Sequence, residues 1–130
     1  MDKPLEDAIR EGLEHATEAC FSAAHKAGWW TDLKTGESLV GKKNHGESFM
    51  LMVTELAEGY EGVRKDLMDD KLPHRKMVEV ELADILIRVF DYAGAHGMDL
   101  AGAVIEKMRY NAERLDHKPE NRKLAGGKQF

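Results

Sequence analysis

Hydrophobic residues recur every three or four positions along most of this chain and rarely alternate with polar ones, the signature of amphipathic helices rather than strands. Leu5, Ile9, Leu13, Ala16, Cys20 and Ala23 form the first such stripe. It predicts a helix over residues 4–26 that Gly28 can end. Residues 29–43 (WWTDLKTGESLVGKK) lack the period and read as a long loop with a short extended piece. Asn44, with Glu47 three residues on, offers a cap for a second helix over 45–68, with Met52, Leu56, Val63 and Leu67 inward. Residues 69–72 are a polar turn. Pro73 opens a third helix to residue 95, with Val78, Leu82, Ile85, Leu86, Val89 and Ala93 as its stripe. Asp99 caps a fourth, to residue 115, with Leu100, Val104, Met108 and Leu115 inward. No β-hairpin pattern stands out.

Four amphipathic helices with short later links predict an all-α, four-helix bundle-like single domain. We place it over residues 1–116, with a C-terminal tail over 117–130 that contains Pro119, Gly126 and Gly127. A bundle this small leaves apolar surface uncovered, so a homodimer or homotetramer is expected.

Charge narrows the function classes. The net charge of −5 argues against a clamp for nucleic acid polymers, which needs a basic surface. A single cysteine, Cys20, permits no intrachain disulfide. No stretch approaches the roughly 20 apolar residues of a membrane span, and the charged N-terminus has no secretory character, so a cytoplasmic protein is expected.

The candidate chemistry lies in four acids. Glu55 and Glu58 (E-L-A-E) and Glu81 and Asp84 (E-L-A-D) are each spaced i, i+3, so both members of a pair share a helix face. Both pairs sit in apolar runs, where an uncompensated charge is costly. The 22 residues between Glu58 and Glu81 allow neighbouring antiparallel helices to bring the pairs together. A divalent cation would neutralise them, and an all-oxygen ligand set favours Mg²⁺, or Mn²⁺, over Zn²⁺ or Fe. Glu61 lies near the same face. The di-iron bundle is the competing carboxylate architecture, but it needs Glu-x-x-His. The residues three before the six histidines are Gly12, Ser22, Lys42, Lys71, Ala93 and Arg114, so it lacks its ligand.

Three further groups suit a phosphate-bearing substrate. Lys107, Asn111 and Arg114 run along one face of the fourth helix and can hold phosphate oxygens. Trp29 and Trp30 border the long loop and can stack on a base. The segment from Gly36 to Lys43 nearly spells a phosphate-binding loop, but Lys43 stands where Ser or Thr is required and a helix precedes it. Lys42 and Lys43 can still reach phosphates from the loop. Arg88, one turn beyond Asp84, reads as an ion partner.

E-L-A-E, the spacer, E-L-A-D-I-L-I and then K-M-R-Y-N-A-E-R together resemble the MazG-like family of all-α nucleoside triphosphate pyrophosphohydrolases. That pattern is E-x-x-E, a variable spacer, E-x-x-D, and a downstream Lys and Asn. The resemblance covers residues 44–115. It implies Mg²⁺-dependent cleavage of (deoxy)nucleoside triphosphates between the α- and β-phosphates. Glu55, Glu58, Glu81 and Asp84 would hold the metal. Lys107 and Asn111, with Arg114, would meet triphosphate or sugar. Glu58 is our choice for the base that activates water. The alternative is a non-catalytic helical module, binding nucleotides or a protein, on the same fold.

Overall fold

The computed structural model describes residues 1–130. It holds α1 (Lys3–Lys26), α2 (His45–Arg64), α3 (Met77–Ala95), α4 (Leu100–Glu113), a 3₁₀ turn (Leu115–His117) and α5 (Pro119–Arg122). No strand forms, and the all-α class read from periodicity is observed. No helix is long and apolar enough to cross a membrane.

Local hydrogen bonding sets the helix ends. Asn44 Oδ1 accepts from the Glu47 amide at 3.2 Å, and Asp99 Oδ1 from the Gly102 amide at 2.8 Å, so both expected caps form. Gly28 leaves α1 at φ +84°, a left-handed turn that favours glycine. Three boundaries differ from expectation. α4 ends at Glu113, which leaves Arg114 outside the helix in extended backbone. α2 stops at Arg64, and α3 starts at Met77 rather than at Pro73. The link between them has its own pairing. Asp66 takes φ +50°, Met68 bridges Lys76 antiparallel, and the buried Asp69 accepts from the Lys71 and Leu72 amides at 2.9 and 2.6 Å. A carboxylate that takes backbone amides competes with the helix for them. The long loop is likewise organised. Thr31 bridges Ser38 antiparallel, and Asp32 Oδ1 accepts from the Lys34 and Thr35 amides at 2.8 and 3.1 Å.

Two compact units emerge, one of residues 16–98 and one of residues 1–15 with 99–130. In the first, α2 and α3 form an antiparallel hairpin whose closeness comes from glycine. A Cβ on Gly59 would stand 3.4 Å from Glu81 Cβ, and one on Gly62 would stand 3.0 Å from Met77 Cβ. The second half of α1 meets α3 at Gly94, where a Cβ would stand 2.6 Å from Phe21 Cβ. Trp30, Ala93 and Ala95 are the buried apolar residues here.

The face that α2 turns to α3 is therefore Glu55, Gly59 and Gly62 rather than the expected stripe. Leu56 and Val63 are 54% and 59% exposed, and Leu82 and Leu86 on α3 are each 53% exposed. Phe49, Val53 and Tyr60 extend the exposed apolar row along α2. In the second unit, Ala101, Gly102 and Ile105 of α4 are buried, and Arg109 pairs with Glu6.

Candidate functional site

The rotation of α2 imposed by Gly59 and Gly62 carries Glu55 inward, opposite Glu81 and Asp84 on α3. Carboxylate oxygens of these three acids lie within 4.8 Å of one another. Glu55 and Glu81 are buried, at 8% and 7% exposure. Glu58 is exposed and stands outside this trio, although it lines the same acidic pocket. One turn further on, Glu61 pairs instead with Arg64 and Lys65.

Three negative charges this close need compensation. Arg88 supplies part of it. Its Nε and Nη2 both lie 2.7 Å from Glu55 Oε1. Glu55, not Asp84, is thus the partner of Arg88. Glu81 receives no cation. Burial, a hydrogen bond shared with Glu55, and the charges of Glu58, Glu55 and Asp84 push its pKa up to about 7. Its Oε2 is buried with no hydrogen-bond partner. A buried oxygen without a donor, beside two further carboxylates, is a natural place for a cation.

The trio sits where two cavities meet. An acidic pocket of about 430 Å³ is lined by Glu55, Glu58, Glu81 and Asp84 together with Asp69, Asp70 and Lys71 of the link. A larger cleft of about 820 Å³ shares Glu55, Asp84 and Arg88 and runs on to Trp29, Trp30, Asp91 and Tyr92. Its size falls in the usual range for small-molecule sites. The alanines of α1, with Leu51, Met52 and Ile87, give it apolar walls.

The two tryptophans differ. Trp30 is 3% exposed and donates from Nε1 to Asp91 Oδ1 at 2.7 Å, with Phe21 and His96 edge-on to its ring. It is a fixed wall. Trp29 is 68% exposed and lies at the rim. Lys43 stands 4.2 Å above the Trp30 ring and also lines the cleft, whereas Lys42 pairs with Glu37. Cys20 lines the cleft as well, and burial followed by the Asp91 charge pushes its thiol up, away from the nucleophilic thiolate.

Lys107, Asn111 and Arg114 belong to the other unit. Lys107 Nζ lies 4.6 Å from the Tyr110 ring centre, and Arg114 pairs with Asp116 through two hydrogen bonds of 2.9 and 2.6 Å. Asn111 Oδ1 is buried without a partner.

Sequence reasoning missed Asp91, Tyr92 and the link acids Asp69 and Asp70. Asp91 had a usable signal. It lies seven residues past Asp84, two turns on along the same face. The link acids had none, because a turn rather than a helix period sets their place. No family model, curated protein or solved structure matches the chain.

Proposed function

We propose that this chain is a divalent-cation-dependent pyrophosphohydrolase that converts (deoxy)nucleoside triphosphates to nucleoside monophosphate and pyrophosphate. The observation that carries the reading is the trio Glu55, Glu81 and Asp84, with a partnerless buried oxygen, where an acidic pocket adjoins a ligand-sized cleft. The donor set fits a hard cation. It is all oxygen, and burial together with the neighbouring carboxylates holds the proton on Glu81 to about pH 7, a charge deficit that a cation would meet. Mg²⁺ or Mn²⁺ would be held by these three acids with Glu58 at the rim. When bound, such an ion offsets phosphate charge and polarises phosphorus.

The remaining work falls to the chain. The cleft accepts the nucleoside end, and Trp29 at its rim offers a face for the base. Arg88 borders both cavities and can turn from Glu55 to a phosphate oxygen. Lys107, Asn111 and Arg114 serve phosphate or sugar in this reading, on the strength of the motif. Water attacks the α-phosphorus, and its oxygen forms the new P–O bond. The bond from α-phosphorus to the bridging oxygen breaks, and pyrophosphate leaves with that oxygen. Glu58, exposed to water at the edge of the acidic pocket, takes the proton at its carboxylate. The exposed apolar row of α2 and α3 supports a homodimer or homotetramer of the MazG-like bundle. A role in cytoplasmic nucleotide-pool control follows from the same reading.

The test is release of pyrophosphate from the common ribo- and deoxyribonucleoside triphosphates with Mg²⁺, repeated in EDTA. Turnover that chelation stops, and that Glu81→Gln abolishes with helicity intact, is expected. Nucleotide binding without turnover would assign the non-catalytic module instead. Turnover that survives EDTA would also overturn the proposal.

A further inference from the structure

The far end of the cleft carries its own polar chemistry. Asp84 and Asp91 are two turns apart on α3, about 10 Å along the axis, a span comparable with a nucleoside. Both line the cleft. A ligand whose phosphate lies at Asp84 therefore reaches Asp91 with its base.

The Tyr92 and Ser48 hydroxyls at that end are engaged. The Tyr92 hydroxyl meets His45 Nδ1 at 2.7 Å, and the Ser48 hydroxyl donates to the Asn44 carbonyl at 3.3 Å. Asp91 Oδ1 takes the Trp30 indole N–H. Trp30 is the one hydrogen-bond donor that Asp91 meets, so Oδ2 keeps its acceptor capacity. The indole is buried and wedged between Phe21 and His96, which holds the carboxylate firmly.

We infer that Asp91 determines base specificity: it accepts a hydrogen bond from an exocyclic amino group, so cytosine, adenine and guanine are taken in preference to uracil and thymine. The inference rests on the triphosphate reading above. A carboxylate facing the 4-carbonyl of uracil or thymine sets acceptor against acceptor, and these bases have only the ring N3–H, one position away, to offer it. A site built for a hydrogen bond discriminates strongly against an analogue that cannot make it. One hydrogen bond to a charged group is worth about 1.5–3 kcal/mol, about 10- to 150-fold. Lys43, over the Trp30 ring, is the donor available for a base carbonyl. It leaves the amino requirement to Asp91.

Cytosine and uracil share one ring and differ only in the 4-substituent, amino against carbonyl, and in the hydrogen on N3, so they make the sharpest comparison. Pyrophosphate release from dCTP and dUTP is measured with Mg²⁺ for the native protein and for Asp91→Asn. Tryptophan fluorescence is titrated in EDTA with dCMP and dUMP, which needs neither metal nor turnover. We expect kcat/KM at least about 10-fold higher for dCTP, with the same order in the monophosphate affinities. Asp91→Asn keeps an oxygen for Trp30 and turns an amide N–H₂ to the cleft, so the preference should vanish or invert. Equal use of dCTP and dUTP by the native protein overturns the inference, whether or not the variant folds. So does a preference that survives in Asp91→Asn. If no triphosphate is turned over, the parent reading fails. The monophosphate titration then still decides the role of Asp91: tighter dCMP supports it, and equal binding overturns it.

Discussion

Replacing Glu81 by glutamine should stabilise the metal-free protein above neutral pH while destroying its response to Mg²⁺. The folded pKa of Glu81 is about 7 against an ordinary 4.5. The native state therefore keeps a proton that the unfolded chain has released. The resulting stability is complete below about pH 4.5 and is lost as the pH rises through about 7. The rise spans about 2.5 pH, each worth about 1.4 kcal/mol, which sets a ceiling of about 3–4 kcal/mol. Water in the acidic pocket screens the charges of Glu55, Glu58, Asp84, Asp69 and Asp70, so about 1–2 kcal/mol is the working figure. Thermal melts at pH 5 and pH 8.5 read it as a shift of about 3–8 °C. The native protein should lose that much on alkalinisation, and Glu81→Gln should lose far less. At pH 8.5, Mg²⁺ at 100 times its Kd should restore the native protein by about 2.7 kcal/mol and leave the variant unmoved. A Glu81→Gln protein with the native pH dependence, or one that Mg²⁺ stabilises equally, would refute the electrostatic account of the trio.

Other substitutions test neighbouring parts of the account. Arg88→Met leaves the buried Glu55 without its cation and should cost about 1–3 kcal/mol in urea unfolding, with Mg²⁺ recovering part of it. Gly62→Ala drives a Cβ to 3.0 Å from Met77 Cβ and 3.2 Å from the Val78 nitrogen, so it should lower stability by about 1 kcal/mol or more despite better helix propensity. Gly12→Ala, with nothing within 4 Å, should raise stability by up to about 1 kcal/mol in the same melts. Leu86→Glu on the exposed α3 row should lower the mass measured by light scattering with helicity retained, and an unchanged mass would remove that row from any interface.

The helices, their caps and the pairing of two acid-bearing segments were legible because each depends on local period and on short polar side chains. Asn44 and Asp99 cap as their positions imply. The rotation of α2 was not legible from hydrophobicity. Gly59 and Gly62 permit a closer approach than Leu56 and Val63 would, so the glycine face turns inward and takes Glu55 with it. The same rotation leaves Glu58 exposed, although its spacing makes it the equal of Glu55 on paper. Pro73 misled because Asp69 holds the link through two backbone amides, an arrangement no periodicity encodes. Trp29 and Trp30 are adjacent and alike in sequence, yet the bond to Asp91, 61 residues away, buries one and leaves the other at the rim.

The central claim is that Glu55, Glu81 and Asp84 jointly hold a hard divalent cation, and anomalous diffraction from crystals soaked in Mn²⁺ addresses it most directly. A single strong peak within about 2.2 Å of an oxygen from each acid is the predicted result. Manganese scattered over exposed carboxylates, with the trio empty and Glu81 still facing Glu55, would contradict the claim.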